Sequence, residues 1–257
     1  MRLFPLLCLC LLPLCSSAQW ICVSDSSTVF EFPGTAVPPL VGEASFASGH
    51  YKIIVGGKFL DPKNPAAEAV YNCDMVILDA QADKTYVLPL GFFPPFVSDQ
   101  FSGVNYCYTS DQDTAYLLGG YGYDLARAYE TTFPTLTIFP IKTLIDSVIQ
   151  HKDYLGLFEA ITDEEHLAIT EGTLVRLDGY FLVYNGKEIK PEQEDEFSDE
   201  ITMNEWDFRG QLRKFTLARR DDYREVAEFQ ICNTSKVFYQ CMPSKGKPTP
   251  PAPDDKH

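Results

Sequence analysis

Short runs of aromatic and β-branched residues recur along the chain, each closed by glycine. Three of them align: Tyr51-Lys-Ile-Ile-Val-Gly-Gly57, Thr114-Ala-Tyr-Leu-Leu-Gly-Gly120 and Gly179-Tyr-Phe-Leu-Val-Tyr-Asn-Gly186. Their closing glycines lie 63 and 66 residues apart. Strand-like runs flank each one. Glu43–Ala47, Gly103–Tyr108, and Leu167–Thr170 with Leu174–Arg176 precede them. Asp74–Asp79 with Thr85–Leu90, Thr135–Phe139, and Gln211–Leu217 with Glu225–Ile231 follow. The pattern predicts about four strands per unit in three units, near residues 43–90, 101–140 and 167–231. One interruption has helical spacing. Ile141, Leu144, Ile145, Val148 and Ile149 fall on one side of a helix. A further turn over Tyr154–Ile161 extends the expected helical insertion across 141–161, on the outside of the second unit.

Four-stranded units whose second strand ends in a glycine pair have the form of a β-propeller blade. Where such a strand ends against its neighbours there is little room for a Cβ, and a positive φ favours glycine. Gly56, Gly57, Gly119, Gly120 and Gly186 are therefore structural candidates. In these residues the chain resembles the kelch repeat. More narrowly, it resembles a secreted kelch-type propeller family of Bacteroidetes-like bacteria, as a shortened member. Tyr116–Tyr123, Thr131–Thr137, Leu144–Ile149 and Leu212–Thr216 carry the resemblance, which covers about residues 40 to 231. It implies an all-β, kelch-type β-propeller of three to three and a half four-stranded blades. Trp20–Val23 and Thr28–Phe32 would supply the extra half blade. The third unit departs from the pattern, with Asn185-Gly186 in place of a glycine pair. The tryptophan usual near the fourth strand is missing from the first two units, and Trp20 and Trp206 stand elsewhere. Closed propellers use about four to eight blades. Three resolutions stay open: a homodimer closing one ring, a chain shortened from longer relatives, or an open stack of blades.

Composition narrows the setting. Hydrophobic residues make up 45% and charged residues 22% of the 257, as in a globular chain. Aromatics at 13%, with 18 Pro and 16 Gly, favour short strands and turns. A formal charge of −15 would repel a phosphate backbone, so nucleic acid is not an expected partner. Arg2, the apolar run Leu3–Leu14 and Ser16-Ser17-Ala18 read as a signal peptide over residues 1–18. The protein is thus expected to be exported, to the periplasm or outside the cell, with no membrane span. Residues 19–241 would form the propeller, and 242–257 a disordered proline-rich tail. Beyond the signal, Cys22, Cys73, Cys107, Cys232 and Cys241 remain. Cys232 and Cys241 are the candidate disulfide, and Cys73 and Cys107 read as buried thiols in strands.

Candidate chemistry is sparse. His50, His151, His166 and His257 have no metal-ligand spacing, so neither a metal nor a cofactor is expected. No Gly-x-Ser-x-Gly elbow or phosphate-binding loop occurs. Asp111-Gln-Asp113 reads as a hairpin turn, and the acidic run 192–200 as a solvated loop. The connections after the three glycine-closed strands are all long, and in a propeller they would emerge on one face. Lys58, Asp61, Tyr121, Tyr123, Asp124, Arg127, Lys187 and Trp206 lie on them. Loops on a rigid scaffold commonly carry binding, and these side chains suit a glycan or a protein ligand. The leading expectation is a non-enzymatic recognition or scaffold protein. Two alternatives stay open: a carbohydrate enzyme of the epimerase or mutarotase type, drawing on Glu43, Glu171 or Arg176, and an incomplete chain without independent function.

Overall fold

A computed structural model describes residues 29–35, 37–60, 70–191, 203–220 and 223–233. The expected signal peptide, the half blade over Trp20–Val23, Asp61, Cys241 and the proline-rich tail lie outside these residues. The regular structure of the described chain is mostly β, with two short α-helices. In order it forms β1 (Phe30–Pro33), β2 (Leu40–Val41), β3 (Ala44–Ser48), β4 (Tyr51–Val55), β5 (Lys58–Phe59), β6 (Val70–Tyr71), β7 (Asp74–Asp79) and β8 (Lys84–Pro89). There follow α1 (Pro95–Phe101), β9 (Cys107–Asp111), β10 (Thr114–Leu118), β11 (Tyr121–Asp124), β12 (Tyr129–Thr132), β13 (Thr135–Pro140), α2 (Ile141–Ile149) and β14 (Glu159–Thr162). The last stretch holds β15 (Thr173–Leu177), β16 (Tyr180–Tyr184), β17 (Lys187–Pro191), β18 (Met203–Asp207), β19 (Gln211–Arg220) and β20 (Tyr223–Asn233).

Three larger antiparallel sheets result, with orders β1-β8-β7-β4-β3, β14-β13-β10-β9 and β15-β16-β19-β20. Within each, four strands follow one another as a meander. The long connection from second to third strand folds as its own small hairpin: β5–β6, β11–β12 and β17–β18. The architecture of the described residues is built from several antiparallel sheets with two short α-helices. β1 does not begin a further sheet. It pairs along β8 from Phe30–Val87 to Pro33–Lys84, as a fifth strand at the outer edge of the first sheet.

Alternation along the strands explains how the sheets stack. On the second sheet Ala115, Leu117 and Phe139 point to one side and pack with Phe46, Ile53, Val55, Met75, Ile77 and Leu88 of the first. Tyr116, Leu118, Leu136 and Ile138 point to the other side and pack with Leu174, Phe181, Val183 and Phe215 of the third. Ring contacts knit both seams: Phe46 meets Phe139 edge-on at 5.3 Å, and Tyr116 meets Phe181 edge-on at 5.0 Å. The middle sheet is therefore covered on both faces, as its near-continuous apolar strands require. Each end sheet has one outward face, bearing Phe30 and Phe32 at one end and Val175, Leu177 and Tyr184 at the other.

The helices correct the sequence reading in three places. α2 spans the expected Ile141–Ile149, but its apolar side enters the core between the first two sheets, so it does not lie on the outside. Its first turn is held by the β9–β10 turn: Ile141 N donates to Asp113 O at 2.7 Å and Lys142 N to Asp113 Oδ1 at 2.8 Å. The helical insertion stops there, apart from a 3₁₀ turn at Leu155–Leu157. The rest of the expected second turn is β14, which completes the second sheet well beyond residue 140. β-Branched Ile161 and Thr162 suit that strand, with Ile161 buried in the second seam. α1 is the unexpected helix. Pro94 and Pro95 set its first turn, where a missing N–H costs nothing. Cys107 opens β9 and is buried, whereas Cys73 precedes β7 and is only half-buried. Cys232 is disulfide-bonded.

Candidate functional site

The three glycine-closed strands end in one repeated construction. Gly56, Gly119 and Asn185 take φ of 64°, 64° and 57°, and Gly57, Gly120 and Gly186 follow at 91°, 93° and 96°. Just past each turn, the second member of the pair accepts a backbone bond: Asn72 N to Gly57 O, Phe133 N to Gly120 O and Phe208 N to Gly186 O, each at 2.9 Å. Neighbouring units are tied by a second repeated bond, Asn105 N to Gly42 O at 2.7 Å and Glu171 N to Asn105 O at 2.8 Å. The space is as tight as the sequence implied. A Cβ on Gly119 would collide with the Ile169 carbonyl, and one on Gly56 with the Gly103 carbonyl.

The carbonyl of the first residue in each pair is met by a buried side chain, different every time. Asn72 Nδ2 donates to Gly56 O at 3.0 Å. Gln100 Nε2, carried in by α1, donates to Gly119 O at 3.0 Å, and also to Leu117 O and Thr135 O. Its Oε1 accepts from Thr137 Oγ1 at 2.6 Å. Arg213 Nη2 donates to Asn185 O at 3.3 Å. Arg213 is 5% exposed and stacks its guanidinium 4.2 Å from the Phe208 ring centroid. Its Nε has no hydrogen-bond partner among the described residues. Burial lowers its pKa to about 10, and burial raises that of the nearby Cys107 thiol to about 12.

These turns launch the hairpins, and the hairpins are linked to one another. Glu130 on β12 accepts from Tyr71 Oη of the first hairpin at 2.7 Å and from Tyr121 Oη of its own at 2.9 Å. Burial, then the hydrogen bond to Glu130, raises the pKa of both phenols. Lys58 Nζ stands 4.0 Å from the Tyr71 ring centroid. The second hairpin meets the third where Ile189 N donates to Thr132 Oγ1 at 2.8 Å. The result is a continuous polar-linked layer over the glycine turns.

Of the expected binding residues, the structure divides those held within this layer from those presented by it. Lys58 and Tyr121 belong to the Glu130 cluster. Asp124 caps its own turn through Ala126 N and Arg127 N, and Arg127 pairs with Glu164 and Asp124. Lys187 pairs with Glu171 at 3.1 Å and Glu205 at 3.6 Å. Tyr123 and Trp206 remain outward, 43% and 42% exposed, with Lys190 Nζ 4.9 Å from the Trp206 ring. Val70, Leu125 and Met203 are also exposed, so every hairpin offers apolar surface. Sequence reasoning missed Tyr71 and Glu130; nothing local marks a lone Glu as the acceptor for two tyrosines from separate hairpins. The acid–base candidates take different partners: Glu171 joins Lys187, while Arg176 Nη1 donates to Asp111 and Tyr116. Among the described residues no three His, Cys, Asp or Glu side chains cluster to hold a metal ion. None of the described helices is long and apolar enough to cross a membrane.

No family model matches this chain, and no curated protein matches it. It is similar to a solved structure titled "Structure of YjhT", at 14% identity and a TM-score of 0.36. The likeness covers 61% of this chain, which spans only 36% of that one.

Proposed function

We propose that this chain is an exported, non-enzymatic recognition module, a kelch-type β-propeller of about three blades that binds a glycan or a protein through its hairpin layer. One observation carries the reading. The three hairpins are bonded into a single layer through Glu130 and Thr132, and that layer holds Tyr123 and Trp206 outward on otherwise satisfied supports. Exposed Tyr and Trp on a rigid base lose little entropy on binding and offer both ring faces and polar tips, which suits sugars and protein loops alike. The charged residues around them are paired, so they orient the layer more than they recruit a ligand.

A glycan array and a pull-down from the matching extracellular fluid test this. Retained ligand should fall at least tenfold with Tyr123→Ala plus Trp206→Ala, about 1.4 kcal/mol or more. It should be little changed by Arg209→Ala, whose side chain is exposed in the turn that follows β18. Retention that survives the double substitution removes the hairpin layer from the binding face.

A further inference from the structure

The outward face of the first sheet carries a groove of about 190 Å³. Its floor is Val76 and Val87, and its walls are Phe32, Val37, Leu40 and Phe59. An apolar cavity of about 150 Å³ is large enough to take benzene. The polar side chains at its edge are not equally available. Thr85 Oγ1 is spent on Gly34 O at 2.6 Å. Asn72 is spent on Gly56 O, Asp74 O and Asp74 N. The Asp74 carboxylate has neither a hydrogen bond nor an ion pair among the described residues, and none of the described residues lining the groove is Lys or Arg. Burial raises its pKa, the mark of a carboxylate set among apolar walls without a counter-charge.

The repeat does not call for that acid. Position 74 lies two residues past Asn72, and the same step past Phe133 and Phe208 gives Thr135 and Gly210. Along β7 the outward side continues with Val76 and Leu78. A lone carboxylate on an apolar face costs stability unless something cationic meets it. We propose that this groove binds a small organic ammonium with an aromatic or branched apolar body, the Asp74 carboxylate taking the charge and Phe32 and Phe59 the body. Aromatic walls favour a cation over a neutral isostere for a second reason, their electron-rich faces.

Calorimetry on the full chain with phenethylammonium, 2-phenylethanol and phenylacetate tests the assignment. The amine should bind at one site at least tenfold more tightly than the alcohol, and the acid should not bind. Asp74→Asn should weaken the amine at least tenfold and bring it level with the alcohol. Val37→Trp, which fills the groove from one of its walls, should abolish binding of both, with a cooperative unfolding transition showing that the chain stays folded. The proposal is overturned if the amine and alcohol bind alike, if Asp74→Asn binds the amine as before, or if the amine does not bind. It is equally overturned if light scattering shows a discrete dimer that Phe32→Asp dissociates, because a second copy would then cover the groove. The hairpin-layer reading survives any of these results, since it rests on Tyr123 and Trp206.

Discussion

The first two glycine turns and the third solve one problem with different chemistry. In the first two, glycines at positive φ leave a carbonyl that a neutral amide, Asn72 or Gln100, satisfies from within the core. In the third, Asn185 takes φ of 57°, a conformation that Asn tolerates better than most residues, and its Oδ1 accepts from Gly210 N at 2.9 Å. Its carbonyl is met by a guanidinium that is almost fully buried and only partly bonded. A neutral amide leaves no net charge to desolvate. A buried cation does, and stacking on Phe208 offsets only part of that cost. The third junction should therefore be the one where removing the polar group is cheapest, although it looks the most elaborate.

The largest effect expected is from Gly119→Ala. Positive φ and the Ile169 carbonyl both oppose the new methyl group, and a loss of about 4 kcal/mol or more should appear as a collapse of the urea midpoint. Asn185→Gly at the matching position of the third turn should stay within about 1 kcal/mol, because relief of strain offsets the lost side-chain bond. Comparable losses at both positions would mean the turns do not differ as described.

Next comes Gln100→Leu. It leaves the Leu117 and Gly119 carbonyls and the Thr137 hydroxyl without their buried partner, for about 3 kcal/mol of lost stability. Arg213→Met keeps the length and removes the charge, so it should lie within about 1 kcal/mol of the native chain. If Arg213→Met costs as much as Gln100→Leu, the cation is a net stabiliser and the contrast between the junctions fails.

The smallest effect is a pH dependence confined to the seam between the second and third sheets. Cys107 holds its proton in the folded chain up to about pH 12, against an ordinary value of 9.0. Above pH 9 the unfolded chain releases that proton and the folded chain does not, so unfolding is favoured. The contribution should fall by about 1.4 kcal/mol per pH unit. Unfolding curves for the native chain and Cys107→Ala between pH 8 and 10.5 measure it as a growing difference; parallel curves would show that Cys107 does not differ between the two states.

The strands were legible in the sequence because their signal is local. Tyr51–Val55, Thr114–Leu118 and Tyr180–Tyr184 each end at the glycine or Asn-Gly that closes them, and the repeat fixed which runs belong together. α2 was equally legible from its spacing, but which surface it joined was not, since an apolar stripe fits an inter-sheet core as well as an outer shelf. α1 was hidden because its seven residues, Pro95–Phe101, are too few to set up a helical period. β14 was masked because Tyr154–Ile161 happens to place apolar residues at helical intervals. At the site, the exposed aromatics Tyr123 and Trp206 could be named from composition and loop length. The Tyr71–Glu130–Tyr121 cluster and the three buried caps could not, because each depends on pairing between residues far apart in the chain.

The spacing of the repeated turns has a consequence for how such a chain can grow. Between successive glycine turns the distance is nearly constant, 63 and then 66 residues. Measured instead where each hairpin returns, from Asn72 to Phe133 and on to Phe208, it is 61 and then 75. The difference lies in the third hairpin, which runs 22 residues from Gly186 to Phe208 against 15 from Gly57 to Asn72 and 13 from Gly120 to Phe133. New residues inserted at a hairpin tip would leave the bonds linking Gly42, Asn105 and Glu171 unshifted, whereas a single residue added between a first strand and its glycine pair would throw the next unit out of step. A lineage built on this plan can change what its surface offers by lengthening its hairpins, without disturbing the glycine turns that join one sheet to the next.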